Sequence, residues 1–107
     1  MRSLFKILIL IFGISSYSQE LVFENLFDSS LSSEIACYRI PSIITSINGT
    51  LIAAIDERNN SCGDLKWNSD INIVLRKSYD DGNTWTEIEK IIDYPDGESA
   101  SDPSMIL

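Results

Sequence analysis

Arginines at the ends of apolar runs and aspartates in polar loops are the residues of this chain best suited to chemistry. Arg39 stands between Cys37-Tyr38 and the run Ile40-Pro41-Ser42-Ile43-Ile44. A guanidinium stays charged at any working pH and donates through a planar fork that matches carboxylate oxygens, so Arg39 fits recognition of an anionic ligand. Asp64 follows Gly63 in a polar stretch, where a carboxyl group can reach a ligand. A low-dielectric pocket there would favour its protonated form, as a general acid requires. Asp56 and Glu57 compete with Asp64 for the acid role, and Asp70 is an outside candidate. Taken singly, these residues fit an edge ion pair or an ordinary loop aspartate equally well.

The elements that must position them read as strands and turns. Residues 21–27 are short, apolar and aromatic and are expected to form a strand, followed by a serine-rich link over residues 28–34. Residues 39–46 read as an isoleucine-rich strand with Pro41 near its start, where a missing N–H is tolerated. Asn48-Gly49 predicts a type I′ hairpin turn, which needs positive φ at both central positions, and residues 51–56 form the return strand. The sequon Asn48-Gly49-Thr50 is explained by that turn without glycosylation. The unbroken apolar character of the two strands predicts a sheet buried on both faces.

Residues 58–70 are a polar loop long enough to carry function, with Trp67 either stacking on a ligand or packing against the sheet. Residues 71–77 and 84–91 are read as the third and fourth strands. Between them, Ser78-x-Asp80-x-Gly82-x-Thr84-Trp85 is a polar turn in which Ser78 and Asp80 bond the turn backbone and Gly82 supplies an unusual φ. Its aspartates are read as structural, because Asp80-Asp81-Gly82-Asn83 lacks the spacing and terminal glutamate of an EF-hand loop. Pro95-Asp96-Gly97 marks another turn, and Asp102-Pro103-Ser104 is expected to open a new strand.

The pair of Tyr38-Arg39-Ile40-Pro41 and the 78–85 turn, with the order of Arg58, Gly63-Asp64 and the 71–78 run between them, resembles the first blade of a bacterial-type sialidase. The turn resembles the Asp box of sialidase propellers. The resemblance implies an all-β chain: the first blade and partial strands of a six-bladed β-propeller, with residues 38–107 as its truncated start. It implies that Arg39 belongs to the arginine triad gripping the sialic acid carboxylate, that Asp64 is the acid/base, and that Arg58 and Asp102 line the pocket near the sugar's 4-hydroxyl. All four would face one cavity. The nucleophilic tyrosine of the family, its glutamate and two further arginines match nothing here, since Tyr38, Tyr79 and Tyr94 do not occupy the nucleophile's place.

Composition limits the alternatives. The chain has 107 residues, whereas six blades of roughly 50 residues need about 300, so a fragment of a longer protein is expected, inactive alone. Arg2, Lys6, the apolar run over residues 4–14 and Ser16-Tyr17-Ser18 read as an export signal over residues 1–18, cleaved before Gln19 and leaving no stable membrane insertion. Residues 19–37 then form an N-terminal strand and linker. Without Arg2 and Lys6, six basic residues face sixteen acidic ones, a formal charge of −10. Such a chain repels nucleic acid. A sialic acid site in it must rely on locally clustered arginines.

The absence of histidine excludes histidine-based triads and most zinc sites from this region, and no cofactor or metal is expected. Cys37 and Cys62 each precede a candidate residue, Arg39 and Asp64, by two positions, and residues two apart in extended structure share a face. If Arg39 and Asp64 meet, the cysteines meet beside them, as a disulfide or as two free thiols. The expected activity of the full-length protein is retaining hydrolysis of terminal alpha-linked sialic acids on glycoproteins, glycolipids or oligosaccharides. A secreted propeller of the same kind that binds glycans or proteins without cleaving them is the alternative.

Overall fold

A computed structural model of the chain describes residues 18–95 and 97–107, so the expected export signal lies, but for Ser18, outside the described residues. The fold is all-β. Four strands, β1 (Cys37–Thr45), β2 (Leu51–Arg58), β3 (Ile71–Ser78) and β4 (Glu89–Ile92), form one antiparallel sheet in the order β1-β2-β3-β4. Each strand pairs with its neighbour in sequence, so hairpins generate the whole sheet.

The core sits on the two central strands. Ala53, Ala54, Ile55, Ile71, Ile73, Val74 and Leu75 are buried, and because consecutive strand residues point to opposite faces, this run covers both faces of β2 and β3. The expectation of two-sided burial holds there. It fails on β1, which forms an edge of the sheet and leaves Ile43 64% exposed.

Several local expectations are corrected. Residues 21–27 form no strand: Leu21, Val22 and Phe23 are exposed, and among the described residues no neighbouring strand offers them a ladder. The segment is held instead by the Leu26 carbonyl, which accepts from Arg76 Nη1 at 2.8 Å, and by Phe27, whose ring lies 5.5 Å from that of Tyr38. The link after it contains a 3-10 turn, Ser29–Leu31, capped by Asp28. The β1–β2 connection is not a type I′ turn, since Gly49 has φ +86° but Asn48 does not have positive φ. Ser46 N–H donates to Thr50 O across a three-residue loop, and Gly49 N–H donates to Ser46 O. Such loops place a left-handed residue last, which glycine supplies without strain. The fourth strand is shorter than expected, because Thr86 leaves the ladder to bond Lys77 with its hydroxyl as well as its backbone. Residues 102–107 form no strand either.

The 78–85 turn has the bonding its sequence predicts. The Ser78 hydroxyl is fully buried, accepts from Gly82 N–H at 2.8 Å and donates to Asp80 Oδ1. Asp80 in turn accepts from the Thr84 backbone and hydroxyl at 2.8 and 2.6 Å. These bonds hold its carboxyl below the usual aspartate range, the Thr84 hydroxyl contributing most. Asp81 and Gly82 both take left-handed φ, and the half-buried Trp85 closes the turn through Nε1 to Gly82 O. Replacing Ser78 with alanine removes a buried hydroxyl and takes the acceptor from the half-buried Gly82 N–H, so Ser78→Ala should lower stability by about 1 kcal/mol. A lower denaturant midpoint at unchanged m-value checks this.

Candidate functional site

The candidate site lies at one end of the sheet, where β1 begins, β2 ends and the 59–70 loop departs. Arg39 pairs with Asp56 across the β1–β2 ladder. Cross-strand partners share a face, so the Arg39 side chain stands over the face carrying Asp56 and, two residues on, Arg58. Immediately after Arg39 the register shifts, with three steps on β1 from Arg39 to Ser42 matching two on β2 from Asp56 to Ala54. Ile40 in this bulge has φ +58°, a conformation that is a true outlier for a β-branched residue. The bulge fixes the direction of the chain beside Arg39.

The 59–70 loop returns onto this face because it is braced from within. Asn68 is buried, donates to Ser61 O and accepts from Asp70 N–H, while Trp67 and Asn68 N–H groups both donate to Asp64 O. A side chain at Gly63 would come within 3.0 Å of the Trp67 Cβ, so the residue before Asp64 must be small. Cys37 and Cys62 form a disulfide, with Cα atoms 5.7 Å apart, which ties the loop to the start of β1. The Trp67 ring is 73% exposed, with Lys66 Nζ 4.8 Å from its centroid, so it does not pack against the sheet.

These constraints bring three of the four candidates together. Asp64 Oδ1 accepts from Arg58 Nη1 at 2.8 Å and from Arg39 Nη1 at 3.3 Å. Both guanidiniums also reach Cys62 O, and Arg58 reaches Gly63 O at 2.7 Å. Arg58 is 1% exposed and pairs on its other side with the fully buried Asp56, Nη2 to Oδ2 at 2.9 Å. Its Nε has no acceptor among the described residues. Burial opposes the charge of Arg58, but the bonds from Asp64 and Asp56 outweigh it and raise its pKa. The Arg58 hydrogen bond, with the nearby Arg39 charge, holds the Asp64 carboxyl below the usual aspartate range.

Asp102, the fourth candidate, touches neither arginine directly. It joins the cluster through Asp56, whose Oδ1 accepts from Asp102 N–H at 2.9 Å. The four do not line one closed cavity: the Asp64 side chain is 73% exposed, so the cluster opens onto the surface. Asp56, considered from sequence only as a rival acid, turns out to be the buried hub; its i, i+2 spacing from Arg58 on a strand is the signal that placed both on one face. Glu57 belongs to the opposite face, where it pairs with Lys90 at 3.1 Å. Asp70 is used by Asn59, whose Nδ2 donates to it.

With this geometry in place, the chain proves similar to known sialidases over most of its length. The chain is 39% identical over 93 residues to the anhydrosialidase of Macrobdella decora, a match covering 78% of this chain and 11% of that protein. The NanB sialidase of Streptococcus pneumoniae superposes with a TM-score of 0.60 at 31% identity, over 76% of this chain and 12% of that one. The chain is a sialidase-like segment. A leech intramolecular trans-sialidase, solved with 2,7-anhydro-Neu5Ac, superposes with a TM-score of 0.59 at 34% identity, over 82% of this chain and 12% of that one. No family model matches. The sialidase-like segment thus spans about a tenth of the length of these relatives. Among the described residues no helix is long and apolar enough to cross a membrane.

Ionised Asp64 is the form that both arginines stabilise, which gives the sialidase-like segment a signed pH dependence. A depressed folded-state pKa adds stability that is complete above the unfolded value, near 3.9, and is lost as pH falls through the folded value. The destabilisation of Asp64→Asn relative to wild type should therefore be present at neutral pH, shrink below about pH 4, and shrink with added salt because the carboxylate is exposed. Thermal midpoints of the two proteins across this pH range are the check.

Proposed function

We propose that the sialidase-like segment is the first blade and the start of the second in a six-bladed propeller, and that the full-length protein is an exported retaining exo-sialidase acting on sialylated glycoproteins, glycolipids or oligosaccharides. Residues 1–18 are its export signal, 19–37 a linker and 38–107 the opening of the propeller. The observation that carries this reading is the convergence of Arg39 and Arg58 on the Asp64 carboxylate, in a segment similar to sialidases.

Two guanidiniums sharing one exposed carboxylate form a site that can accept another carboxylate in its place. When the anomeric carboxylate of sialic acid binds Arg39, it displaces Asp64 from that partner. Part of the interaction that keeps Asp64 ionised is then gone, and its affinity for a proton rises. Protonated Asp64 donates to the departing glycosidic oxygen as the bond to the anomeric carbon breaks. By resemblance Arg58 and Asp102 bind the sugar near its 4-hydroxyl, and for the buried Arg58 this contact opens when Asp64 turns off its Nη1. The nucleophile, by resemblance a tyrosine assisted by a glutamate, is not Tyr38, Tyr79 or Tyr94, so residues 1–107 alone have no turnover.

A second reading is favoured by the leech relatives, one named an anhydrosialidase and one solved with 2,7-anhydro-Neu5Ac. In it the sugar's own 7-oxygen replaces water at the anomeric carbon. A binding propeller without turnover is the third reading. Incubating the full-length protein with sialyl-lactose separates them: free sialic acid supports hydrolysis, a 2,7-anhydro sugar supports intramolecular transfer, and unchanged substrate removes both.

The roles of the two principal residues differ in their kinetic signatures. Arg39→Ala should weaken binding of sialic acid by about 1.5–3 kcal/mol, as expected for a charged hydrogen-bonding partner. Asp64→Ala should slow cleavage of sialyl-lactose by about 10²–10⁴ and cleavage of an aryl sialoside far less, since a phenolate leaves without protonation. Equal losses on the two substrates would reject Asp64 as the acid.

A further inference from the structure

Asp56 is the only group that touches both halves of the proposed sugar pocket among the described residues. It is fully buried in the middle of the site face. Its Oδ2 accepts from Arg58 Nη2 at 2.9 Å and from the Ser101 hydroxyl at 2.5 Å, and its Oδ1 accepts from Asp102 N–H at 2.9 Å. All three donors converge on one carboxylate, and a carboxylate has room for them without protonation. Nothing of Asp56 remains open to a ligand.

The segment carrying Asp102 needs such an anchor. Asp102 has φ +61°, a left-handed conformation uncommon for a residue with a Cβ, which its surroundings must hold. Two attachments impose it here. Upstream, Ala100 N–H donates to Ile71 O and the Ser99 hydroxyl accepts from Ile71 N–H, which lays the chain along the start of β3. At the turn itself, Asp56 binds the Ser101 hydroxyl and the Asp102 N–H. The Ser101 hydroxyl also lies 3.3 Å from Asp102 Oδ1, so the same contact bears on the Asp102 carboxylate.

We infer that Asp56 is a positioning residue that sets Arg58 and Asp102 relative to each other for recognition of one polar group on the ligand. The inference rests on the sialidase reading, in which these two side chains meet the sugar near its 4-hydroxyl. Asp56 does not touch substrate. Its carboxylate fixes the plane of the Arg58 guanidinium from one side and the backbone of Asp102 from the other, so that binding meets a prepared pair of groups.

The test compares wild type, Asp56→Asn and Ser101→Ala in the full-length protein, on a sialoside and its 4-deoxy counterpart. Asp56→Asn should raise KM for the normal sialoside about tenfold with kcat within about twofold, and should leave KM for the 4-deoxy sialoside unchanged. Ser101→Ala, which removes one bond from a partly exposed hydroxyl and keeps the ion pair, should show the same selectivity at smaller size. It also keeps the comparison available where Asp56→Asn does not fold. Equal KM increases for the two sialosides, or a Ser101→Ala protein that behaves as wild type on both, would overturn the positioning role. A wild-type protein that turns over no sialoside would instead overturn the sialidase reading, and this inference with it.

Discussion

The ion pair between Asp56 and Arg58 is the constraint on which the site depends. Both side chains are removed from water, and two buried charges are tolerated only where each is paired and bonded. Arg58 meets this condition by gathering Asp56 on one side and the carbonyls of Cys62 and Gly63 with the Asp64 carboxylate on the other. The position of Asp64 is thus a consequence of satisfying a buried guanidinium. A loop bearing Asp64 has to fold back over the end of β2, because otherwise Arg58 would lose three of its acceptors in a place water does not reach. The disulfide and the buried Asn68 hold the loop in that return path.

The two faces of the sheet are specialised by the strand period. On β2, Asp56 and Arg58 belong to one face and Glu57 to the other, and each face builds its own charged cluster. Glu57 binds Lys90, which also lies 3.5 Å from Asp93, and the nearby Tyr38 has its pKa raised by burial first and by the Glu57 charge second. This second cluster links β2 to β4 behind the site. Adjacent residues of one strand therefore serve separate networks, and a register slip of one residue would exchange them.

Much of the sheet was legible in the sequence, because apolar runs separated by glycine-containing turns define β1, β2 and β3 closely. The 78–85 turn was legible in its bonds, since Ser78, Asp80 and Gly82 each have one conformational purpose there. Elements that depend on a partner were not. Residues 21–27 have the composition of a strand but no ladder to join, and residues 84–88 surrender theirs to the side-chain bond of Thr86. At the site, Arg39, Arg58 and Asp64 were found as a set, but through resemblance and spacing. Sequence did not reveal that Asp102 joins them only through Asp56, because that contact crosses 46 positions and depends on an aspartate in a left-handed conformation that composition does not announce.

The order of the strands has a consequence for how the site is assembled. Every strand pairs with the next one in sequence, so the sheet is assembled from successive hairpins. Arg39, Arg58 and Asp64 all belong to the first hairpin and the loop that leaves it, and their mutual contacts span 25 residues or fewer. The Asp56 bonds to Ser101 and Asp102 span 45 and 46. As the chain emerges from its N-terminal end, the arginine-lined half can take shape before the residues of the other half have been synthesised. Docking of the Asp102 turn is then the closing step, and its landing place is a carboxylate that Arg58 has already oriented.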